Sequence, residues 1–379
     1  MLRAGKTYKL AGVDEHDLAK RLMAYDTSSP EGITTGVSFI KGWLESNGFE
    51  IEEMEVAGLP VIITSTQGSG PVLVFHGHID VVPGKPGQFK PRVEGDELIG
   101  RGAYDMKAAL AAMMCALRDL RDEPGVQVRF VCVADEESES MGIRGTDVLV
   151  ERGYGGDFAI TGEPTNLHVG VQAKGVLALR VTVSGTSAHG STPWLGDNAV
   201  LKANDVFRRI EGLDFARQSS DFFDRPSINL GRIEGGDAIN KVPDSCVMDV
   251  DIRYVPGQDP EQILEDVRAI EDIAVEVIFE REPAYVANDN EYVVALHQSL
   301  ADCGVDGAEL VGRDGSSEAT AFLAQGIPAV EFGPVGDGHH GPNEFVSLRS
   351  LADYRRSLVG FAQKIAAQQQ GARGHIRAV

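Results

Sequence analysis

The stretch Val72-Leu73-Val74-Phe75-His76-Gly77-His78-Ile79-Asp80 decides the fold, because it joins a buried strand to a polar loop. Its first four residues form a continuous apolar run, which is typical of a strand buried on both faces. Similar runs occur at residues 128–133, 157–161 and 328–332. Apolar residues at helical spacing lie between the runs, most clearly from Met106 to Leu120. This alternation predicts an α/β domain whose sheet is covered by helices.

The middle of the chain has a different pattern. Its predicted order is strand, helix, strand, strand, helix, strand, which is typical of a ferredoxin-like sandwich. The elements are predicted at Val176–Val183, Ala199–Ile210, Ser227–Ile233, Cys246–Tyr254, Pro260–Ile270 and Ala274–Phe279. Since 379 residues exceed the usual size of one core, two domains are expected. We predict an inserted domain over residues 173–282, with residues 1–172 and 283–379 forming the larger one.

The composition excludes several classes of partner. A net charge of −22 disfavours binding to nucleic acid or to an anionic membrane surface, and it favours solubility. Residues 1–18 have no continuous apolar segment typical of a signal peptide, and no stretch of membrane-spanning length is free of charges. We therefore expect a cytoplasmic protein. The four cysteines are far apart in sequence and are expected to be reduced core residues.

His78 and Asp80, Glu136 and Glu137, and Glu163 follow three of the predicted strands, and His340 lies in a Gly-rich loop after a fourth, which ends near Phe332. Asp105 lies in a Gly-Arg-Gly loop that opens the predicted Met106 helix. Ligand sites of open α/β sheets form outside the carboxyl ends of the strands. Taken singly, each residue could be a turn, cap or solvated loop residue. Their convergence at one edge of the sheet instead predicts a metal site.

Two histidines and three carboxylates suit a pair of divalent metal ions, with zinc favoured and cobalt or manganese as possible substitutes. Asp105 is the candidate bridge between the ions, because it is short and held at a helix start. Asp80 is placed to accept the second ring N–H of His78 and fix its tautomer. Of the adjacent glutamates, one would bind metal and the other would act as general base toward a water molecule.

Five motifs resemble the signatures of one metallopeptidase family, which includes acetylornithine deacetylase, succinyl-diaminopimelate desuccinylase, aminoacylase and glutamate carboxypeptidase. They follow in order over residues 70–350: His76–Pro83, Gly100–Lys107, Asp135–Glu137, Gly162–Thr165 and His340–Glu344. The resemblance implies an α/β catalytic domain with a mixed sheet flanked by helices, and an inserted ferredoxin-like α+β lid and dimerisation domain. It also implies a homodimer.

The resemblance further implies roles for single residues. One metal would be held by His78, Asp105 and Glu163. The other would be held by Asp105, Glu137 and His340. Glu136 would be the general base. In the inserted domain, the segment 184–196 resembles the family's lid, whose His189 would stabilise the oxyanion. Asn240 and Arg253 resemble substrate-binding positions; a guanidinium matches a substrate carboxylate.

Two choices stay open at this point. The doublet His339-His340 leaves an ambiguity of one residue, and the spacing to Asn343-Glu344 favours His340. The segment Gln172-Ala173-Lys174-Gly175 resembles the acetylornithine deacetylase pattern more than the desuccinylase pattern. We therefore predict a hydrolase of N-acyl amino acids. A desuccinylase, or a dipeptidase or carboxypeptidase of the same family, is the alternative. From other classes, a two-metal phosphoesterase and a metal-binding module without catalysis are possible.

Overall fold

The computed structural model describes residues 14–137 and 144–376, with side chains up to residue 369. The first 13 residues, part of the segment in which no signal peptide is expected, lie outside the described residues. The chain divides into two compact units. The first runs to Val169 and also contains Asp289–Glu309 and the residues from Ile327 onward. The second contains Gly170–Asn288 and Leu310–Gly326.

The elements up to the start of the second unit are α1 (Glu15–Met23), α2 (Pro30–Ser46), β1 (Glu52–Val56), β2 (Leu59–Ser65), β3 (Val72–His78), β4 (Arg92–Glu94), β5 (Glu97–Ile99), α3 (Lys107–Asp119), β6 (Gln127–Val133), α4 (Gly145–Leu149) and β7 (Phe158–Thr161). The later ones are β8 (Val169–Ala173), β9 (Gly175–Ser184), α5 (Ala199–Glu211), β10 (Ser227–Gly235), β11 (Ser245–Tyr254), α6 (Pro260–Arg268), β12 (Ile273–Arg281), β13 (Ala284–Tyr285), α7 (Glu291–Asp302), β14 (Leu310–Arg313), α8 (Ala319–Leu323), β15 (Ala329–Glu331), β16 (Gly336–Asp337), β17 (Phe345–Ser347) and α9 (Leu348–Ile376).

The main sheet of the first unit is mixed. Its strand order is β1-β2-β6-β3-β7-β15. Strand β3 runs parallel to β6 and β7, and β15 runs parallel to β7. Strand β2 is antiparallel to both β6 and β1. Helix α2 packs on β2, and α3 packs on β3 and β6 while also contacting α1 and α9. The expected α/β class, with a mixed sheet flanked by helices, is confirmed.

The four parallel strands β6, β3, β7 and β15 are neighbours in the sheet, so their carboxyl ends lie at one edge. Two glycines let helix α3 start close to this edge. A Cβ atom on Gly77 would lie 2.5 Å from the Met106 methyl group, and one on Gly162 would lie 2.4 Å from it. A larger residue at either position would require the flexible Met106 side chain to move. Both glycines therefore lie against Met106, the residue that directly follows Asp105.

The second unit contains a four-stranded antiparallel sheet with the order β10-β11-β9-β12. Helices α5 and α6 pack on this sheet and cover residues such as Leu179, Val250 and Ile252. This strand order is that of a βαββαβ sandwich. Strand β8 pairs with β13 and β14 in the same unit. Residues 310–326, which the sequence placed in the larger domain, join the second unit because Lys174 contacts both the carbonyl of Arg313 and the carboxylate of Asp314.

The composition led to expectations about the cysteines and about membrane-spanning helices. All four cysteines are free thiols; Cys115, Cys132 and Cys246 are buried, as expected, whereas Cys303 is half-buried and is not a core residue. Among the described helices, none combines the length and the apolar character that a membrane span requires.

Candidate metal centre

His78 ends strand β3 with its imidazole fully buried. Its Nδ1 lies 3.0 Å from the Asp80 carbonyl oxygen and 3.5 Å from the Asp80 carboxylate. The nearer acceptor is therefore the backbone, and not the carboxylate that the sequence suggested. The Asp80 carboxylate instead accepts a hydrogen bond from the Glu137 N–H at 2.8 Å. A protonated Nδ1 leaves Nε2 of His78 as a free ligand atom, directed at Asp105 at 3.1 Å.

Asp105 lies at the centre of the cluster. It does not cap α3, whose first residues have no side-chain cap, so the capping interpretation is wrong. Its buried carboxylate faces His78 through one oxygen and His339 and His340 through the other. Burial alone would raise the pKa of Asp105, but hydrogen bonds from these three histidines hold it well below its usual value. A carboxylate with ligand atoms on both sides is suited to bridge two ions.

Glu163 follows strand β7 and completes the first group. Its carboxylate lies 3.7 Å from Nε2 of His78, and its buried Oε1 has no hydrogen-bond partner among the described residues. Burial raises the pKa of Glu163 well above its usual value, and the nearby Asp105 charge raises it further. Ligand atoms of His78, Asp105 and Glu163 all lie within 4.8 Å of one another. A cation among them would offset this crowding of negative charge.

The three consecutive acidic residues after strand β6 have different environments. Asp135 is buried and accepts a hydrogen bond from the Gly145 N–H at 2.6 Å, at the start of α4. Glu137 lies 3.0 Å from Nε2 of His340. Glu136 is half-buried, hydrogen-bonds through its carboxylate to none of the described residues, and has a raised pKa, chiefly because of burial. The interpretation of this segment as a solvated loop is therefore wrong for Asp135.

Both residues of the histidine doublet reach the cluster. His339 and His340 each contact the Asp105 carboxylate, and together these three residues form a second group of potential ligands. Only His340 also contacts Glu137. His340 adopts a left-handed φ of 58°, which is uncommon outside glycine. The sequence analysis chose His340 over His339, because spacing alone cannot show that a loop turns two adjacent rings toward one carboxylate.

A buried ion pair, which the sequence did not reveal, holds the loops of Asp105 and His340 together. Glu344, with 1% of its surface exposed, accepts hydrogen bonds from Arg101 at 2.7 Å and from the backbone N–H groups of Tyr104 and Asp105 at 2.9 and 3.1 Å. Arg101 also donates to the carbonyl oxygen of His340 at 3.0 Å. The only signal in the sequence was that both residues lie inside motifs.

The other predicted site residues lie in the second unit. His189 is exposed, and its Nδ1 accepts a hydrogen bond from the Ser191 N–H at 3.1 Å. This places the ring proton on Nε2, which can act as a donor. Asn240 lies on the adjacent segment, where its backbone carbonyl oxygen accepts a hydrogen bond from the Gly190 N–H at 2.7 Å. Arg253, on strand β11, donates through Nε to Asp251 at 2.9 and 3.0 Å.

The residues of the first unit fit a metal centre. Imidazole and carboxylate ligands in two groups that share Asp105 are the donor set that zinc and similar divalent ions prefer. The unpartnered oxygen of Glu163 and the clustering of carboxylates around His78 are consistent with a cation as the missing partner.

The chain resembles known proteins in sequence over most of its length. The model of peptidase family M20/M25/M40 matches residues 74–364. A succinyl-diaminopimelate desuccinylase of Sphingopyxis alaskensis is 31% identical, over 89% of this chain and 95% of that protein. An acetylornithine deacetylase of Photorhabdus laumondii is 28% identical, over 89% of this chain and 92% of that protein.

Solved structures share the fold at lower sequence identity. A tripeptidase from Staphylococcus aureus superposes with a TM-score of 0.77 at 21% identity, covering 93% of this chain and 98% of that one. An M20 family metallo-carboxypeptidase from Sulfolobus solfataricus also gives 0.77, at 18% identity, over 94% of this chain and 100% of that one. Since the family model spans more than half of the sequence, the chain belongs to peptidase family M20/M25/M40.

Proposed function

We propose that this chain, a metal-dependent hydrolase of amide bonds, removes the acyl group from a small N-acyl amino acid. The observation that carries the proposal is the double ligand cluster around Asp105 at the ends of four adjacent parallel strands. The names of the relatives support the choice of substrate, because a deacetylase and a desuccinylase both act on acylated amino acids. The fold-level neighbours that act on peptides make a dipeptide the alternative substrate.

The ligands divide into two sets that share Asp105. His78 and Glu163 complete one set, and Glu137 and His340 complete the other. Zinc is the proposed ion at both, with cobalt or manganese able to substitute. When bound, such ions supply Lewis acidity toward an amide carbonyl and lower the pKa of a water nucleophile.

Glu136 is the proposed general base. Its carboxylate is half-buried beside the cluster and is not engaged in a hydrogen bond with the described residues. A base in that position takes a proton from the attacking water and then delivers it to the leaving nitrogen of the amide. Glu137, its neighbour, is held differently, because its N–H donates to Asp80 and its carboxylate contacts His340.

The proposed inserted lid, residues 173–282 of the second unit, contributes groups that hold the substrate. His189, with its proton on Nε2, is the proposed donor to the oxyanion that forms when water attacks the carbonyl. Asn240 on the adjacent segment and Arg253 on β11 are the proposed partners of the amino-acid part of the substrate.

The phosphoesterase alternative is disfavoured because the two basic side chains near the site are already engaged within the protein. A phosphate site would use free Lys or Arg side chains, and the motif loops of the first unit offer Arg101 and Lys107. Arg101 is 3% exposed and is paired with Glu344. Lys107 is fully buried and donates to the carbonyl oxygen of Tyr25 at 2.8 Å.

A homodimer formed through the second unit completes the proposal. Strongly exposed apolar side chains of the second unit are the candidate interface residues. The most exposed members are Trp194 at 75%, Leu195 at 71%, Leu201 at 67% and Ile239 at 105%. Strand β10 lies at an edge of the four-stranded sheet and could pair with its copy. A monomeric mass in solution together with normal activity would contradict this part.

The test is a substrate panel measured before and after removal of metal. N-acetyl amino acids, N-succinyl amino acids and dipeptides are assayed with the purified chain, with the stripped chain, and with the stripped chain given zinc or cobalt. We expect hydrolysis of an N-acyl amino acid that disappears on stripping and returns with metal. Full activity of the stripped protein would overturn metal dependence, and a clear preference for dipeptides would overturn the proposed substrate.

A further inference from the structure

A cleft of about 480 Å³ lies within the second unit and has no role in the proposed hydrolysis. Its walls come from strands β8 and β13 and from two loops, and the lining includes Gln172, Ser220, Asp221, Pro256, Pro283 and Tyr285. This volume is in the range of small-molecule sites. We propose that the cleft binds a small alkylammonium compound, a primary amine on an apolar stem.

Two buried polar atoms of the lining have no hydrogen-bond partner in the part of the chain that the structure describes. Gln172 is only 5% exposed, and its side-chain Oε1 is buried without a hydrogen bond to any described residue. The buried hydroxyl oxygen of Ser220 has none either. A buried polar group without a partner is destabilising, and a ligand that bonds to it would offset that cost. Gln172 lines the cleft, and its amide carries an oxygen that accepts hydrogen bonds and a nitrogen that donates them.

The charges and apolar surfaces of the cleft select the type of ligand. Asp221 is exposed and negative, and none of the described lining residues is Lys or Arg. The acceptors therefore suit a cationic donor, and an ammonium group can donate three hydrogen bonds. Pro256 and Pro283 offer apolar surface to a short stem, and the ring of Tyr285, 58% exposed, can face either the stem or the cation.

The loops that form the walls are tied together before any ligand arrives. Gln258 donates through its side chain to the carbonyl oxygen of Phe215 at 2.9 Å and to Gln218 at 3.1 Å. Its side-chain oxygen accepts from the Val255 N–H at 2.9 Å. The turn beside Pro256 and the loop leading to Ser220 are thus joined through one side chain. A preformed cleft loses less free energy in ordering when it binds.

The experiment is calorimetric titration of the full, metal-loaded chain with n-pentylammonium, 1-pentanol and pentanoate. We expect saturable binding of pentylammonium and binding weaker by about tenfold or more for the two analogues, because a hydrogen bond to a charged group is worth about 1.5–3 kcal/mol. Equal binding of pentanol, or no saturable binding of pentylammonium, would overturn the proposal.

Substitutions of the lining residues test whether the amine binds in this cleft. Gln172→Leu should weaken binding by about tenfold, and Asp221→Asn by about threefold, since an exposed ion pair contributes less. Asp224→Asn, an exposed carboxylate that does not line the cleft, should leave binding unchanged. Asp221 is on the surface, so its variant remains informative if the Gln172 variant fails to fold. Binding that is unaffected by Asp221→Asn but lost after chelation would assign the amine to the metal centre and overturn the proposal.

Discussion

Charged side chains are arranged in opposite ways in the two units. In the first unit, the buried Asp105 lies close to the half-buried Glu163, whose buried Oε1 has no hydrogen-bond partner among the described residues. In the second unit, the face of the sheet opposite the helices carries ion pairs such as Arg180–Asp249 at 2.8 Å. Burying like charges is costly unless a cation compensates, whereas exposed pairs cost little and contribute little. The first arrangement therefore indicates function, and the second is mainly a solvated surface.

The largest expected effect comes from a carboxylate that lies beside the buried cluster without being a proposed ligand. Glu136→Gln should lower turnover by about three orders of magnitude, within the usual range for loss of a general base, while metal content stays normal. Glu137→Gln is the matched variant, and it should lose metal because Glu137 contacts His340. Turnover and bound metal are measured for both proteins. If Glu136→Gln loses metal and Glu137→Gln keeps it, the two roles are reversed.

The next effect tests whether an exposed residue of the second unit is functional. His189→Ala should lower turnover by about a hundredfold, the usual contribution of one oxyanion donor, with little change in metal content or KM. His297→Ala removes another exposed histidine, one that contacts the carbonyl of Ala308, and should leave turnover unchanged. Near-normal turnover of the His189 variant would mean that the oxyanion donor lies elsewhere.

Much of this arrangement could be predicted from the sequence, because it follows from local patterns. The apolar runs gave strands β3, β6, β7 and β15, and the polar residues after them lie at one edge because parallel strands share an orientation. Asp14 precedes apolar residues at helical spacing, which predicts an N-cap, and it accepts a hydrogen bond from the Asp17 N–H at 2.9 Å. These features depend on residues that are close together in sequence.

Other features could not be predicted, since they depend on contacts between distant residues. Arg101 and Glu344 are 243 positions apart in the sequence. Both lie inside motifs, but nothing in the sequence shows that they pair. The contact of His339 with Asp105 depends on how the loop turns at His340. The small sheet β16-β17-β5-β4 is built from strands of two or three residues, which are too short to show any periodicity.

A smaller effect is expected at the buried ion pair. Glu344→Gln removes the charge that accepts from Arg101 and from the Asp105 N–H. Metal affinity should fall by about thirtyfold, in the range typical of residues that orient metal ligands, and excess metal should restore turnover. Glu94→Gln, which removes the exposed partner of Arg92, is the control and should have no effect. Loss of stability with unchanged metal affinity would show that Glu344 supports folding alone.

The smallest expected effect concerns two arginines on the same face of the second unit's sheet, which differ in how their guanidinium groups are bound. Arg180 uses both Nε and Nη2 to hold Asp249, at 2.8 and 3.0 Å, so its planar fork is occupied. Arg253 bonds to Asp251 through Nε alone, which leaves its terminal nitrogens available for a substrate carboxylate.

Arg253→Met should therefore raise KM by about tenfold with little change in kcat, because a hydrogen bond to a charged group contributes about 1.5–3 kcal/mol to binding. Arg180→Met is the matched control, because it makes the same substitution on the same face of the sheet. Since the guanidinium of Arg180 is already occupied by Asp249, this variant should leave KM unchanged. Steady-state kinetics of both variants on the N-acyl amino acid gives the answer. Equal KM values for the two variants would mean that Arg253, like Arg180, is only part of an exposed ion pair, and that the substrate carboxylate is bound elsewhere.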